Sequence, residues 1–105
     1  MHGLWSKAQC KDADMIALSI IIKGRVQGVH YRRFAKQLAD RLGLKGWIRN
    51  LENGDVEVLV QGARYKLEIF SEGLRKGPPN SRIDSIEIKK VKEDDFSGFS
   101  IIEQT

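Results

Sequence analysis

A chain of 105 residues has room for one domain, and with 41% hydrophobic residues it can bury one modest core. Its 18 basic and 14 acidic residues leave a formal net charge of +4, which favours anionic partners without choosing among nucleic acid, a membrane surface and a small phosphorylated substrate. The charges are interleaved, which weakens the case for a polyanion-binding stripe. No apolar run approaches membrane length, and the lone Cys10 excludes an intramolecular disulfide and a zinc cluster, so a reducing cytoplasm is the expected compartment.

Residues 1–14 show no periodicity and read as a flexible N-terminal extension ahead of a domain spanning 15–105, with Met15 a possible alternative start. Lys7, Lys11, Asp12 and Asp14 break up the few apolar residues, unlike a secretory signal. His2 and Cys10 fall in this extension as bystanders. Ile16, Leu18, Ile20 and Ile22 then alternate with Ala17, Ser19, Ile21 and Lys23, predicting a strand whose second face is partly apolar and which is therefore central. A loop with Gly24 and Gly28 leads into a helix carrying Phe34, Leu38 and Leu42 at four-residue spacing beside Ala35 and Ala39, ended by Gly43.

A second strand is predicted from about Lys45 to Leu51. The Asn53-Gly54 pair then makes a hairpin turn into a third strand, where Val56, Val58 and Val60 alternate with Glu57, Leu59 and Gln61. After Gly62, Ala63, Leu67, Phe70 and Leu74 mark one side of a second helix that stops near Gly73 to Gly77, before Pro78-Pro79. A loop to about Arg82 precedes a fourth strand begun by Ile86 and Ile88 and running toward Lys92. Beyond Glu93-Asp94-Asp95, Phe99 to Ile102 make a short last strand.

This order suits an α+β sandwich with both helices on one face of an antiparallel sheet. Right-handed crossovers favour the ferredoxin-like βαββαβ arrangement with a short extra C-terminal strand. In it the first and second strands run parallel with the third between them, so the glycine loop and Asn50 emerge on the same sheet edge. Two inter-strand steps separate them by roughly 9–10 Å, space for a phosphate and a water.

The loop chemistry points the same way. Running from Gly24 through Arg25, Val26, Gln27, Gly28, Val29, His30 and Tyr31 to Arg32, it can turn peptide N–H groups inward, and the helix start adds unpaired N–H groups and a positive dipole end. A cation there is disfavoured by the dipole, so Arg32, with its planar fork, suggests an anion nearby, while Arg33 reads as solvated. Asn50 is either a site residue or a hairpin residue, and the residues alone leave both open; Asn53 is a turn residue. Trp47 reads as strand packing rather than a base-stacking platform.

Gly24-Arg25-Val26-Gln27-Gly28-Val29-His30-Tyr31-Arg32 resembles the first motif of the acylphosphatase family, Gly-x-Val-Gln-Gly-Val-x-(Phe/Tyr)-Arg, at every fixed position. Gly46-Trp47-Ile48-Arg49-Asn50, followed by Gly54-Asp55-Val56, resembles its second motif. His30, at a variable position of the first motif, reads as a loop residue at the site entrance. The likeness runs from about Ile16 to the C-terminus. It implies the ferredoxin-like fold and hydrolysis of a carboxyl-phosphate anhydride to carboxylate and inorganic phosphate. It also implies that Arg32 and the Gly24–Tyr31 backbone bind the phosphoryl group while Asn50 positions the attacking water. No metal or other cofactor is implied. The expected partners are a small acyl phosphate and, as product-like ligands, phosphate or sulfate, with no membrane and no specific nucleic acid, for a chain acting as a monomer.

RNA-recognition domains share this strand and helix order and would also be basic. They need aromatics on the middle strands, and the segments Ile16–Lys23 and Val56–Gln61 contain none. A third reading is a relative that binds phosphorylated ligands without turnover. The presence of both Arg32 and Asn50 argues against it.

Overall fold

The computed structural model describes residues 15–103; the proposed extension 1–14, with His2 and Cys10, lies outside the described residues. The elements in chain order are β1 (Met15–Arg25), α1 (Tyr31–Leu42), β2 (Lys45–Asn50), β3 (Val56–Ala63), α2 (Arg64–Lys76), β4 (Arg82–Val91) and β5 (Phe99–Ile102). The sheet order is β4-β1-β3-β2-β5, with β1 inside as its two partly apolar faces predict, and with β3 between β1 and β2. No helix among the described residues is long and apolar enough to cross a membrane.

The sheet is mixed, which corrects the expectation of an antiparallel one. β1–β3, β1–β4 and β2–β3 are antiparallel, but β5 runs parallel to β2. The connector decides this. β4 ends beside the start of β1, where Ala17 pairs with Val91. Residues 92–98 then cross the same end of the sheet to the start of β2, where the Gly46 N–H donates to the Gly98 carbonyl at 2.9 Å. Four strand spacings, roughly 19–20 Å, nearly exhaust a seven-residue connector's reach of roughly 25 Å, so β5 starts where β4 stops and must run with β2. Gln61 clamps the crossing: its Nε2 donates to the Asp94 carbonyl and its Oε1 accepts from the Asp94 N–H, each at 2.9 Å.

Ile20 and Ile22 of β1, Ile48 of β2, Val56, Val58 and Val60 of β3 and Phe99 of β5 form the sheet side of the core, against Leu67, Phe70 and Leu74 of α2. On α1 the fully buried stripe is Tyr31, Ala35 and Ala39. Leu38 and Leu42, expected at its centre, pack on the core only partly buried. Alanines at the centre let the helix axis approach the sheet closely, with larger side chains wedged along its flanks. Gly73 lies inside α2 opposite Leu38, and a side chain there would press on the Leu38 methyl. Ala63, expected on the second helix, is the last residue of β3 and caps α2. β4 begins at Arg82, four residues before the predicted Ile86, because a bulge between Lys23 and Gly24 carries its pairing with β1 on to Arg25.

Candidate active site

β1, β2 and β5 all point their C-terminal ends at one edge of the sheet, and a cleft of about 280 Å³ opens there. Val26, Gly28, His30, Tyr31, Arg32 and Arg33 line one side; Asn50, Ile101 and Glu103 line the other. That volume accommodates a phosphoryl group and several waters of about 30 Å³ each.

Of the loop residues singled out in the sequence, Gly24, Arg25, Gln27 and Val29 are not among those lining the cleft. Gly24 and Arg25 extend β1 and pair with Ile83 and Arg82 of β4. A Cβ at Gly24, whose φ is +137°, would run into the Arg82 carbonyl, so glycine here serves close backbone approach. Gln27 ties the loop to the β2–β3 turn, its Nε2 donating to the Leu51 and Asp55 carbonyls at 2.9 Å each. Val29 packs against the core. The loop is thus held on three sides, which is what a preorganised backbone cradle requires.

Gly28 has φ +75°, and His30 follows with φ +63°, the one non-glycine residue in this region among those described. A left-handed conformation at a histidine costs on the order of 1–2 kcal/mol. Strain of this kind gathers at binding sites. Its effect here is to turn the chain abruptly into α1 with no side chain capping the helix start and no acidic residue in the first turn. The first-turn N–H groups lack intrahelical partners and carry the positive end of the helix dipole.

Tyr31 anchors that helix start. Its hydroxyl donates to the Leu74 carbonyl near the end of α2 at 2.7 Å, and burial pushes its pKa well above the usual phenol value. It therefore stays neutral across the physiological range and provides a fixed post, not an acid or base. Arg32, next in line, has a side chain 27% exposed, with Nη1 3.4 Å from Glu103 Oε1. Asn50 ends β2, and its Oδ1 is buried with no hydrogen-bond partner among the described residues. A buried acceptor left without a donor costs about 1–3 kcal/mol.

The acylphosphatase sequence profile matches residues 18–101. The acylphosphatase of Thermus thermophilus is 41% identical over 87 residues, covering 83% of this chain and 99% of that one. A solved acylphosphatase from Coxiella burnetii superposes with a TM-score of 0.83 at 32% identity, covering 88% of this chain and 97% of that one. The crystal structure of acylphosphatase from Bacillus subtilis gives 0.80 at 35%, covering 83% and 98%. The chain belongs to the acylphosphatase family. These acylphosphatases share the ferredoxin-like α+β arrangement, two helices on an open five-stranded sheet.

Sequence reasoning missed three residues that line this cleft. Ile101 and Glu103 reach it only because β5 runs parallel to β2, and local sequence carries no sign of strand direction. Arg33, read as solvated, is exposed and also lines the cleft. Trp47 packs as expected: it is half-buried on the helix-free face, with the Arg49 guanidinium 5.3 Å from its ring centroid. Arg49 is held in turn by Glu57 at 2.7 Å.

Proposed function

We propose that this protein hydrolyses the carboxyl-phosphate bond of acyl phosphates in the cleft between the start of α1 and the end of β2. One observation carries the reading: Arg32 and Asn50, on separate elements, face one cleft at a helix N-terminus, and the Asn50 acceptor is buried without a partner among the described residues. Arg32 supplies a charged fork for two phosphoryl oxygens, and the amides from Val26 to Arg32 take the rest. Asn50 Oδ1 accepts a hydrogen bond from the attacking water and fixes its line to phosphorus. Phosphoryl transfer needs mainly such alignment and charge stabilisation.

The leaving carboxylate is the conjugate base of an acid with pKa of about 4, so it departs without a proton from the enzyme. The water's proton passes to a phosphoryl oxygen, since a neutral amide is no base. This scheme calls on no metal, and turnover is expected to survive exhaustive chelation. We infer that it acts as a monomer in the cytoplasm, the compartment that its cysteine usage favours. The deciding assay is hydrolysis of benzoyl phosphate beside a stable phosphate monoester. Cleavage of the first alone is the expected result, and inertness toward both sinks the proposal.

A further inference from the structure

The partner of Arg32 has no assigned purpose. Glu103 reaches it because β5 lies alongside β2 in parallel register, Ile102 opposite Arg49, so that the next residue stands beside Asn50. Its Oε1 is 3.4 Å from Arg32 Nη1, on the guanidinium that a phosphoryl group would use, and no other ion pair to Arg32 occurs among the described residues. The two side chains differ in freedom: Glu103 is 75% exposed and can swing into solvent, whereas Arg32 is 27% exposed on a helix anchored by Tyr31. Carboxylate and phosphoryl oxygens match the same fork.

We propose that Glu103 is an internal competitor for the anion site, a residue that acts through Arg32 to weaken binding of phosphate and of phosphorylated substrate. The inference rests on the reading of Arg32 given above. The ion pair exists only while the cleft holds no phosphoryl group, and binding must break it. Its loss is therefore a uniform cost to substrate, transition state and product, raising KM and the phosphate Kd by one factor while leaving the step between bound substrate and transition state aside. The device favours product departure from a site that otherwise concentrates positive charge. A long, exposed, solvent-screened pair of this kind supports a modest factor, about two- to fivefold.

The test compares the full chain with its E103Q and E103D variants, by calorimetric titration with inorganic phosphate and by steady-state kinetics on benzoyl phosphate. E103Q is expected to tighten phosphate by about two- to fivefold and to lower KM by the same factor, with a smaller change in kcat. E103D keeps the charge but loses the reach, so it should behave like E103Q. Three results overturn the proposal: unchanged phosphate affinity in E103Q; E103D binding as the parent does, which would mean a diffuse field and not a contact; or a fall in kcat at constant affinity, which would make Glu103 a brace for Arg32. Calorimetry needs no turnover. Tightened phosphate binding in a chain inert toward benzoyl phosphate would end the hydrolase reading alone, and unaltered binding in an active chain would end this one alone.

Discussion

The two ends of the sheet each hold the N-terminus of one helix, and the proposed site lies at one of them. Both α1 and α2 start without a side-chain cap and without an acid in the first turn. α2 follows β3 directly, through an Ala63 cap in ordinary extended conformation. The acidic connector lies close by: Asp94 and Asp95 line the same hollow as Ala63 and Lys66. The positive end of α2 thus meets negative charge supplied by the chain itself. α1 follows β1 only after a five-residue turn through two left-handed residues. Its first turn carries Arg32 and Arg33, as that of α2 carries Arg64 and Lys66, and Glu103 stands beside Arg32. A helix N-terminus is therefore not a site by itself. What sets the α1 start apart is a loop turned through two left-handed residues and a neighbouring strand that brings the buried Asn50 acceptor to the same cleft.

Breaking the contrast at the α1 end should have the largest effect. Arg32→Ala is expected to lose both phosphate affinity and at least about 10²-fold in kcat, the scale of a lost oxyanion donor, with little rescue by Arg32→Lys. Asn50→Ala should lower kcat comparably while phosphate affinity holds, since alignment and not attraction is lost. Phosphate titration beside kinetics separates them, and full kcat in a folded Asn50→Ala protein would return Asn50 to the hairpin.

Next in size is Gly24→Ala, which drives a methyl into the Arg82 carbonyl. Overpacking of this kind costs about 1–3 kcal/mol, read as a lower urea midpoint. Tyr31→Phe removes the hydrogen bond to Leu74 and should cost about 1–2 kcal/mol.

Tyr31 also makes a pH test. Its folded pKa is raised by burial, so above pH 10 the folded state keeps a proton that the unfolded state loses. Its contribution is full below about pH 10 and drains away as pH rises beyond it. Stability of the parent should fall more steeply there than that of Tyr31→Phe, and parallel alkaline profiles would contradict the burial argument. The smallest effect is expected at the other end of the sheet. Gln61→Ala releases the connector clamp, costing about 1 kcal/mol in urea unfolding with unaltered KM, which sharpens the division between a structural end and a chemical one.

The order of elements was open to reading because alternation and four-residue spacing are local, and because the turn signals at Gly43 and Asn53-Gly54 sit between runs of clear period. The motif residues were equally plain, and so was the meeting of the α1 start with Asn50, since a right-handed crossover leaves the first two strands parallel. Local pattern could not separate the loop residues that line the cleft from those that hold it: Gly24 and Gln27 look like cradle residues until their partners on β4 and the β2–β3 turn are known. Nor could periodicity show which stripe of α1 turns inward, because that depends on how closely the sheet lets the helix approach.

Local pattern therefore determined the elements, the ferredoxin-like order and the pairing of a glycine loop with Asn50, each written in short-range chemistry. Tertiary structure alone decided the direction of β5, the orphaned acceptor on Asn50 and the contact between Glu103 and Arg32. These depend on the reach of one connector and on which atoms are left without water, quantities that exist only once distant parts of the chain have packed together.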